Sequence, residues 1–560
     1  MKGSTYFAKL LKENGTTHVF YQDALLPQTI KEMNEIGVRT IMAHSEIAAG
    51  YMADGYARAT GKVGFCMSQS VGSLNLSAGL HDAYLATSPV IAITGRKVPA
   101  LQYRNSYQES DHQKHFSGVT KFNALLEDPQ QLPMLLRQCY REAATGKPRP
   151  VHLDLVHHMC LPVERADIEE DFWANPEFAV YPTARLAATP ETVKKAAEAI
   201  SEAERPVILA GRGALISGAG EVMLKLAEKA DIPITTTPDG KTVIDEDDPR
   251  WCGVVGLYGM HNSNNLLKDA DLFIVVGSGL SDQTTLDWKA PKSTVRTIQI
   301  DIAGEELGRS YPNCIGLQGD ARTVISQLLE ATPEKKRPDW HAKFRMLIEE
   351  YLALRNKDYL RNDVPIEPAR LCSEITKALP DNAILVSDTG FSACWTGTMV
   401  QMKSTQKYIR CAGTLGWGYP ASLGVKCGHP DRPVIGFVGD GGFWYFSNEM
   451  ETARRYNIPT VTIVNNNFGL AQEMAWMDRY YPGDRERSRR QTSYNATKIL
   501  FGKVAKEFGL HAVTVTEPDQ IRPAIDEAIA LGEPAIVEVI TNPDTLGPTG
   551  YLEVQKSLKL

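Results

Sequence analysis

Residues 434–469 read VIGFVGDGGFWYFSNEMETARRYNIPTVTIVNNNFG. Residues 434–438 are an unbroken apolar run that stops at Gly439-Asp440-Gly441-Gly442, and 460–464 are a second run that stops at Asn465-Asn466-Asn467. Between them, from about 446 to 456, lies a helical pattern ended by Asn457-Ile458-Pro459. Two all-apolar strands joined by a helix are parallel, and such crossovers are right-handed in nearly all cases. Both polar clusters then lie at the carboxyl edge of one sheet, where open α/β sheets bind ligands.

That arrangement suits a hard divalent cation. Mg²⁺ wants a nearly octahedral shell of oxygens and takes few from protein, the rest coming from phosphate and water. Asp440 offers a carboxylate, Asn467 an amide carbonyl and Gly469 a backbone oxygen, while Gly441 and Gly442 let backbone N–H groups approach phosphate. A GDG turn, a helix and an Asn-Asn pair at this spacing resemble the cofactor motif of thiamine-diphosphate-dependent enzymes. The resemblance implies thiamine diphosphate and Mg²⁺ as cofactors. It places Asp440, Asn467 and Gly469 at the metal, and Gly441, Gly442 and Leu470 beside the diphosphate.

With 560 residues, 43% of them hydrophobic, the chain exceeds one core and divides into several globular domains. A net charge of −7 over that length argues against a nucleic-acid partner, and no apolar run is long enough to span a membrane. The opening MKGSTYFAKLLKENG lacks the apolar centre and cleavage site of a signal peptide. Nine scattered cysteines without a CxxC pair point to reduced thiols in a cytoplasm, with neither a zinc site nor a disulfide framework.

Strands (40–43, 64–67, 90–95) alternate with helices (46–60, 72–86), which predicts a doubly wound α/β domain over residues 1–165. An acidic, Pro-interrupted stretch at 166–188 reads as a linker. A second α/β domain covers 189–330, a charged helical connection 331–364, a third domain 365–545 and a tail 546–560. The expected fold is α/β: three doubly wound α/β domains of the thiamine-diphosphate enzyme type, with pyrimidine-binding, central and diphosphate-binding roles in chain order.

The resemblance extends beyond the metal motif. His44-Ser45-Glu46 followed by ADGYARATG (53–61) is similar to the catalytic-glutamate segment of these enzymes. It implies that Glu46 hydrogen-bonds the cofactor's pyrimidine and so helps remove the very weakly acidic C2 proton. Tyr107-Gln108-Glu109-Ser110-Asp111 and Val119-Thr120-Lys121 resemble acetolactate synthase segments, with Gln108 facing the reacting carbonyl and Tyr107 lining its pocket. Gly390, Phe391 and Ser392 form a loop able to touch the diphosphate. In Ala412-Gly413-Thr414-Leu415-Gly416, Leu415 takes the place of the hydrophobic wedge between the cofactor rings, and the Gly413 carbonyl accepts from the 4′-amino group. Trp476 falls where acetolactate synthases carry a tryptophan that shapes the acceptor pocket. The likeness implies active sites at a subunit interface, hence a homodimer or homotetramer.

Departures from the pattern are equally specific. The family's G-x-R-F-D-D-R segment stands here as Gly277-Ser278-Gly279-Leu280-Ser281-Asp282-Gln283, without either arginine, and Val71-Gly72-Ser73 replaces Gly-Pro-Gly. Gln283 can hydrogen-bond an acceptor carboxylate but cannot make a charge-assisted bidentate contact. The missing arginines also argue against FAD. His112 and His115 read as exposed or structural histidines. The cluster Arg479, Arg485, Arg487, Arg489 and Arg490 is either a solvated stretch or a lid over a polyanion such as an acyl-CoA. The expected function is a carboligase or decarboxylase that transfers an acyl unit from a small 2-keto acid, as acetolactate synthases do. The alternative, suggested by FSNEMETARRYNIP (446–459) and the tail, is a 2-hydroxyacyl-CoA lyase or an oxalyl-CoA decarboxylase.

Overall fold

The computed structural model describes residues 1–22, 25–493 and 497–548. Its strands form three six-stranded sheets in which every strand pairing is parallel. The first holds β1 His18–Tyr21, β2 Arg39–Met42, β3 Gly64–Gln69, β4 Val90–Arg96, β5 Phe122–Leu126 and β6 Val151–Val156, in the order β2-β1-β3-β4-β6-β5. The second holds β7 Pro206–Ala210, β8 Ile234–Thr236, β9 Trp251–Val254, β10 Leu272–Val276, β11 Arg296–Asp301 and β12 Cys314–Gln318, in the order β12-β11-β10-β7-β8-β9. The third holds β13 Ile384–Ser387, β14 Lys407–Arg410, β15 Val434–Gly439, β16 Val461–Asn466, β17 His511–Val515 and β18 Ala535–Ile540, in the order β14-β13-β15-β16-β18-β17. The outer two sheets share one topology strand for strand. The middle sheet has the doubly wound order 3-2-1-4-5-6 read from its other edge.

The first and third domains pack through helix Glu46–Thr60 against helix Gly418–Gly428. A Cβ on Gly55 would stand 2.3 Å from the Ala421 carbonyl oxygen, and one on Gly424 would stand 1.9 Å from that of Met52. Only glycine permits so close a crossing. It brings Tyr51, Met52, Tyr56, Trp417, Tyr419, Leu423 and Phe443 into one buried cluster. Each large apolar side chain so removed from water contributes about 2 kcal/mol.

Three segments differ from their sequence-based reading. The stretch expected to be a linker lies on the first domain, with Ala179 and Tyr181 buried in that core and Val180 bridged to Lys62. The expected charged connection contains helix Pro338–Tyr359, which sinks Trp340, Phe344, Ile348 and Tyr351 into the middle domain. Those residues recur at helical spacing on one face, which the surrounding charges obscure. In the βαβ unit the helix begins at Asp440, with Gly439 extended as its cap. It breaks at Ser447-Asn448 and resumes as Glu449–Arg455. Of the expected tail, residues 549–560 lie outside the described residues, and Gly547 packs on Phe391.

Candidate functional site

In the third sheet the chain runs from β13 outward to β14, then returns to place β15 on the other side of β13. The ends of β13 and β15 therefore flank the point where the winding reverses, and a crevice opens there. Two helices start at this edge, Phe391–Met399 after β13 and Asp440–Phe446 after β15. They start close together: a Cβ at Gly439 would lie 3.4 Å from Ser392 Oγ.

Asp440 is 1% exposed. Backbone N–H groups of Asn467 and Gly441 donate to its carboxylate, yet Oδ2 is buried with no hydrogen-bond partner. Burial pushes this carboxyl up to about 7, against the lowering effect of those N–H groups. A cation on Oδ2 would remove both the orphaned oxygen and the cost of its charge. Asn467 is buried alongside, its Oδ1 accepting from Gly469 N–H at 3.2 Å. Leu470 covers Gly441 so closely that a Cβ there would lie 2.4 Å from Leu470 Cδ2. The donor set is oxygen only, which suits Mg²⁺ rather than a softer metal. Among the described residues no group of three His, Cys, Asp or Glu is placed to hold a metal ion, so a zinc-type cluster is absent there.

Two carboxylates that the motif reading passed over shape the opposite wall. Asp388, buried at the end of β13, accepts from Thr389 N–H at 2.7 Å and from Gly416 N–H at 3.0 Å. Burial raises its carboxyl to about 7 as well. A Cβ at Gly442 would lie 2.6 Å from Asp388 Oδ2 and 3.3 Å from Leu415 Cδ1, so only glycine lets the three meet. Leu415 itself stays half-buried, and Gly413 is exposed with nothing within 4 Å of its would-be Cβ. Asp82 of the first domain reaches across to accept the backbone N–H groups of Ala412, Gly413 and Thr414 at 2.7, 3.2 and 3.3 Å. Arg58 joins it at 3.0 Å, is paired with Asp54 at 2.6 Å, and lies over the Trp417 ring. Asp388 could have been found as a carboxylate at a strand end before Thr-Gly. Asp82 sits inside a helix with no local signal.

These contacts give an expected result. Asp82→Ala leaves three N–H groups without their acceptor and leaves Arg58 with Asp54 as its one carboxylate partner. Unfolding in urea should show a loss of about 1–3 kcal/mol.

The remaining residues named from sequence lie apart. Glu46 opens helix Glu46–Thr60, capped by Ser45, and is half-buried. Its Oε2 accepts from Asn75 Nδ2 at 3.2 Å, and its Oε1 lies 2.5 Å from where a Cβ on Gly72 would stand. Tyr107 is 79% exposed, and Gln108 beside it adopts φ +58°. Among the described residues no hydrogen bond or ion pair joins Glu46, Tyr107 or Gln108 to the Asp440 cluster within one chain. Trp476 lies on helix Ala471–Tyr480 under Arg479, 5.5 Å from its ring centre. The neighbouring arginines have partners: Arg485 and Arg489 pair with Asp544, Arg490 with Glu486, and Arg487 lies over Tyr481. His112 is buried, while His115 is exposed.

Gln283 opens onto a different space, a cavity of about 640 Å³ at the carboxyl edge of the middle sheet. Its lining includes Arg212 and Gly213 after β7, Ser278 to Gln283 after β10, and Asp301 at the end of β11. Burial raises the Asp301 carboxyl to about 6. The volume is that of a small-ligand site at the winding reversal of a nucleotide-type sheet. Gln283 brings no charge to this cavity, but the space itself is present.

Comparisons with known proteins agree on one family. The N-terminal TPP binding domain of thiamine pyrophosphate enzymes matches residues 1–116, the central domain 193–328 and the C-terminal TPP binding domain 388–539. A probable acetolactate synthase large subunit from Methanocaldococcus jannaschii is 32% identical, covering 97% of this chain and 92% of that protein. The acetolactate synthase large subunit of Haemophilus influenzae is 26% identical over 95% of this chain and 92% of its own length. Isozyme 1 of Escherichia coli is 29% identical over 90% and 87%. Three matched domains, three parallel sheets and a carboxylate-centred crevice in the last of them make this chain a member of the thiamine pyrophosphate enzymes, in their acetolactate synthase-like branch, which act on C–C bonds.

Proposed function

We propose that this enzyme is a Mg²⁺-dependent carboligase that takes a 2-keto acid such as pyruvate, releases CO₂ and passes the remaining acyl unit to a second carbonyl compound. The observation that carries this reading is the buried, unpartnered Asp440 Oδ2 at the winding reversal. Asp440, Asn467 and the Gly469 carbonyl would hold the metal, with Gly390, Phe391, Ser392, Gly441, Gly442 and Leu470 around the diphosphate. When bound, thiamine diphosphate supplies the electron sink for breaking a bond beside a carbonyl.

The chain's own residues do the orienting and the proton handling. Leu415, set against Gly442, would wedge between the cofactor's rings, and the open Gly413 carbonyl would accept from its amino group. Glu46, whose contacts in one chain are to Asn75 and Gly72 of the first domain, would offer its carboxyl to the pyrimidine in the site of a second copy of the chain. The exposed Tyr107–Gln108 loop would enter the same shared site, facing Trp476, in a homodimer or homotetramer of the cytoplasm. A CoA lyase is disfavoured: the relatives above are acetolactate synthases, and three of the five arginines suited to a polyanion are already ion-paired.

Titration calorimetry of the purified chain with thiamine diphosphate and Mg²⁺, followed by NMR of a pyruvate incubation, tests the reading. CO₂ release with an acyloin product is expected. A chain that binds no thiamine diphosphate in the presence of Mg²⁺ would sink it, and turnover confined to a parallel panel of 2-hydroxyacyl-CoA esters would replace it.

A further inference from the structure

A buried polar chain in the first domain leads to Glu46. Asp154, on β6, is 1% exposed, and its Oδ1 accepts from His112 Nδ1 at 3.0 Å and from the Thr94 hydroxyl at 2.7 Å. His112, 2% exposed, turns its other nitrogen outward: Nε2 donates to the Ser70 carbonyl at 2.9 Å. Both ring nitrogens thus face oxygen acceptors. His152 lies behind Thr94 at 2.7 Å, bonds Asn123 Oδ1 at 2.7 Å and stacks on Phe116 at 3.7 Å. Arg96 stands 3.7 Å from the second Asp154 oxygen.

What His112 holds is a strained turn. Ser70 has φ +45°, a left-handed conformation that strains a residue with a side chain. Its N–H donates to the Gly95 carbonyl at 2.9 Å, and its own carbonyl also accepts Ser73 N–H at 3.1 Å. That second bond opens helix Gly72–Leu85. The first turn of this helix carries both supports of the Glu46 carboxyl, Gly72 against Oε1 and Asn75 Nδ2 on Oε2. The connection runs without a gap from Asp154 through His112 and Ser70 to Glu46.

We propose that His112 is a positioning residue: braced by Asp154, it pins Ser70 in its left-handed turn and thereby fixes where Glu46 presents its carboxyl. The inference rests on the role given to Glu46 above, and it sets the buried His112 apart from an ordinary core histidine. A residue that merely fills the core would affect stability alone. A clamp on a strained turn becomes dispensable once the strain is removed.

Glycine at position 70 removes that strain, so the test is a cycle of His112→Ala, Ser70→Gly and the double variant in the full chain. Hydrogen exchange by mass spectrometry on the cofactor-free protein reads the clamp directly. His112→Ala should speed exchange in the peptide 66–76 about 10-fold, and the double variant should return towards wild type. With thiamine diphosphate and Mg²⁺, His112→Ala should slow deuterium exchange at the cofactor's C2 by about 10-fold or more while its affinity changes less than about 3-fold. The double variant should recover that rate, and His112→Gln, whose amide nitrogen replaces Nε2, should keep most of it. If alanine at 112 does not fold, His112→Asn, which reaches Asp154 but stops short of Ser70, takes its place. Unchanged peptide exchange in His112→Ala, or a double variant no better than the single, overturns the proposal. Wild-type protein that binds no cofactor would defeat the functional reading instead, while exchange on the free protein still reports on the clamp.

Discussion

Asp440→Ala is expected to abolish metal-supported cofactor binding and turnover together, with the fold retained. The carboxylate is the one charged group in the metal-binding set proposed for Asp440, Asn467 and Gly469, and backbone N–H groups of Asn467 and Gly441 already orient it. Without it, two neutral oxygens remain, and a hard cation that dehydrates reluctantly has little reason to leave water. Calorimetry should show no Mg²⁺-dependent heat on adding thiamine diphosphate to the variant. A circular-dichroism spectrum matching wild type would show that the loss is local. Retained binding would remove Asp440 from the metal site.

The pH behaviour follows from the same burial. A carboxyl raised to about 7 in the folded chain, against about 3.9 unfolded, is protonated in the folded state over a range where the unfolded chain is charged. Its favourable contribution to stability is full below about pH 4 and is lost as pH rises through about 7. Asp388, raised equally, acts in the same direction. Cofactor-free protein should therefore melt lower at pH 8 than at pH 5 as far as these two groups govern it, and Asp440→Asn should flatten that slope. Metal binding needs the ionised form, so Mg²⁺ affinity should rise with pH through about 7, with proton release detectable by calorimetry in buffers of different ionisation heat.

The strand runs around Asp440 and the Asn cluster announced a parallel sheet, because all-apolar runs joined by a helix have few other solutions. The same logic reached all three domains. It stopped where an effect depends on a distant partner. Asp82 is ordinary in sequence and acquires meaning only when helix Glu46–Thr60 crosses helix Gly418–Gly428 at Gly55 and Gly424. His112, read as exposed or structural, is buried between Asp154 and Ser70, which are 42 positions away from it on either side of the chain. The early start of the helix at Asp440 was hidden by its glycines, which read as a loop although Gly439 alone serves as the cap. Periodicity reports faces, and it is silent on which backbone groups a side chain will meet across a domain boundary.

Glu46→Gln should leave thiamine diphosphate and Mg²⁺ binding nearly intact while lowering turnover by about 10²–10⁴, the usual worth of a positioned acid–base group. Glutamine keeps the shape and can still accept from Asn75, but it cannot hold or yield the proton. The contrast with Asp440→Ala, which loses binding, allows a sharper experiment. If Glu46 of one copy serves the Asp440 site of another, each site draws one residue from each chain. In a two-fold dimer mixed from Glu46→Gln and Asp440→Ala chains, half the dimers are hybrids, and each hybrid carries one intact site and one doubly damaged site. Co-expression of the two variants should then restore about a quarter of wild-type activity from two inactive parents. If each chain instead completed its own site, every site in every mixture would keep one lesion and no activity would return.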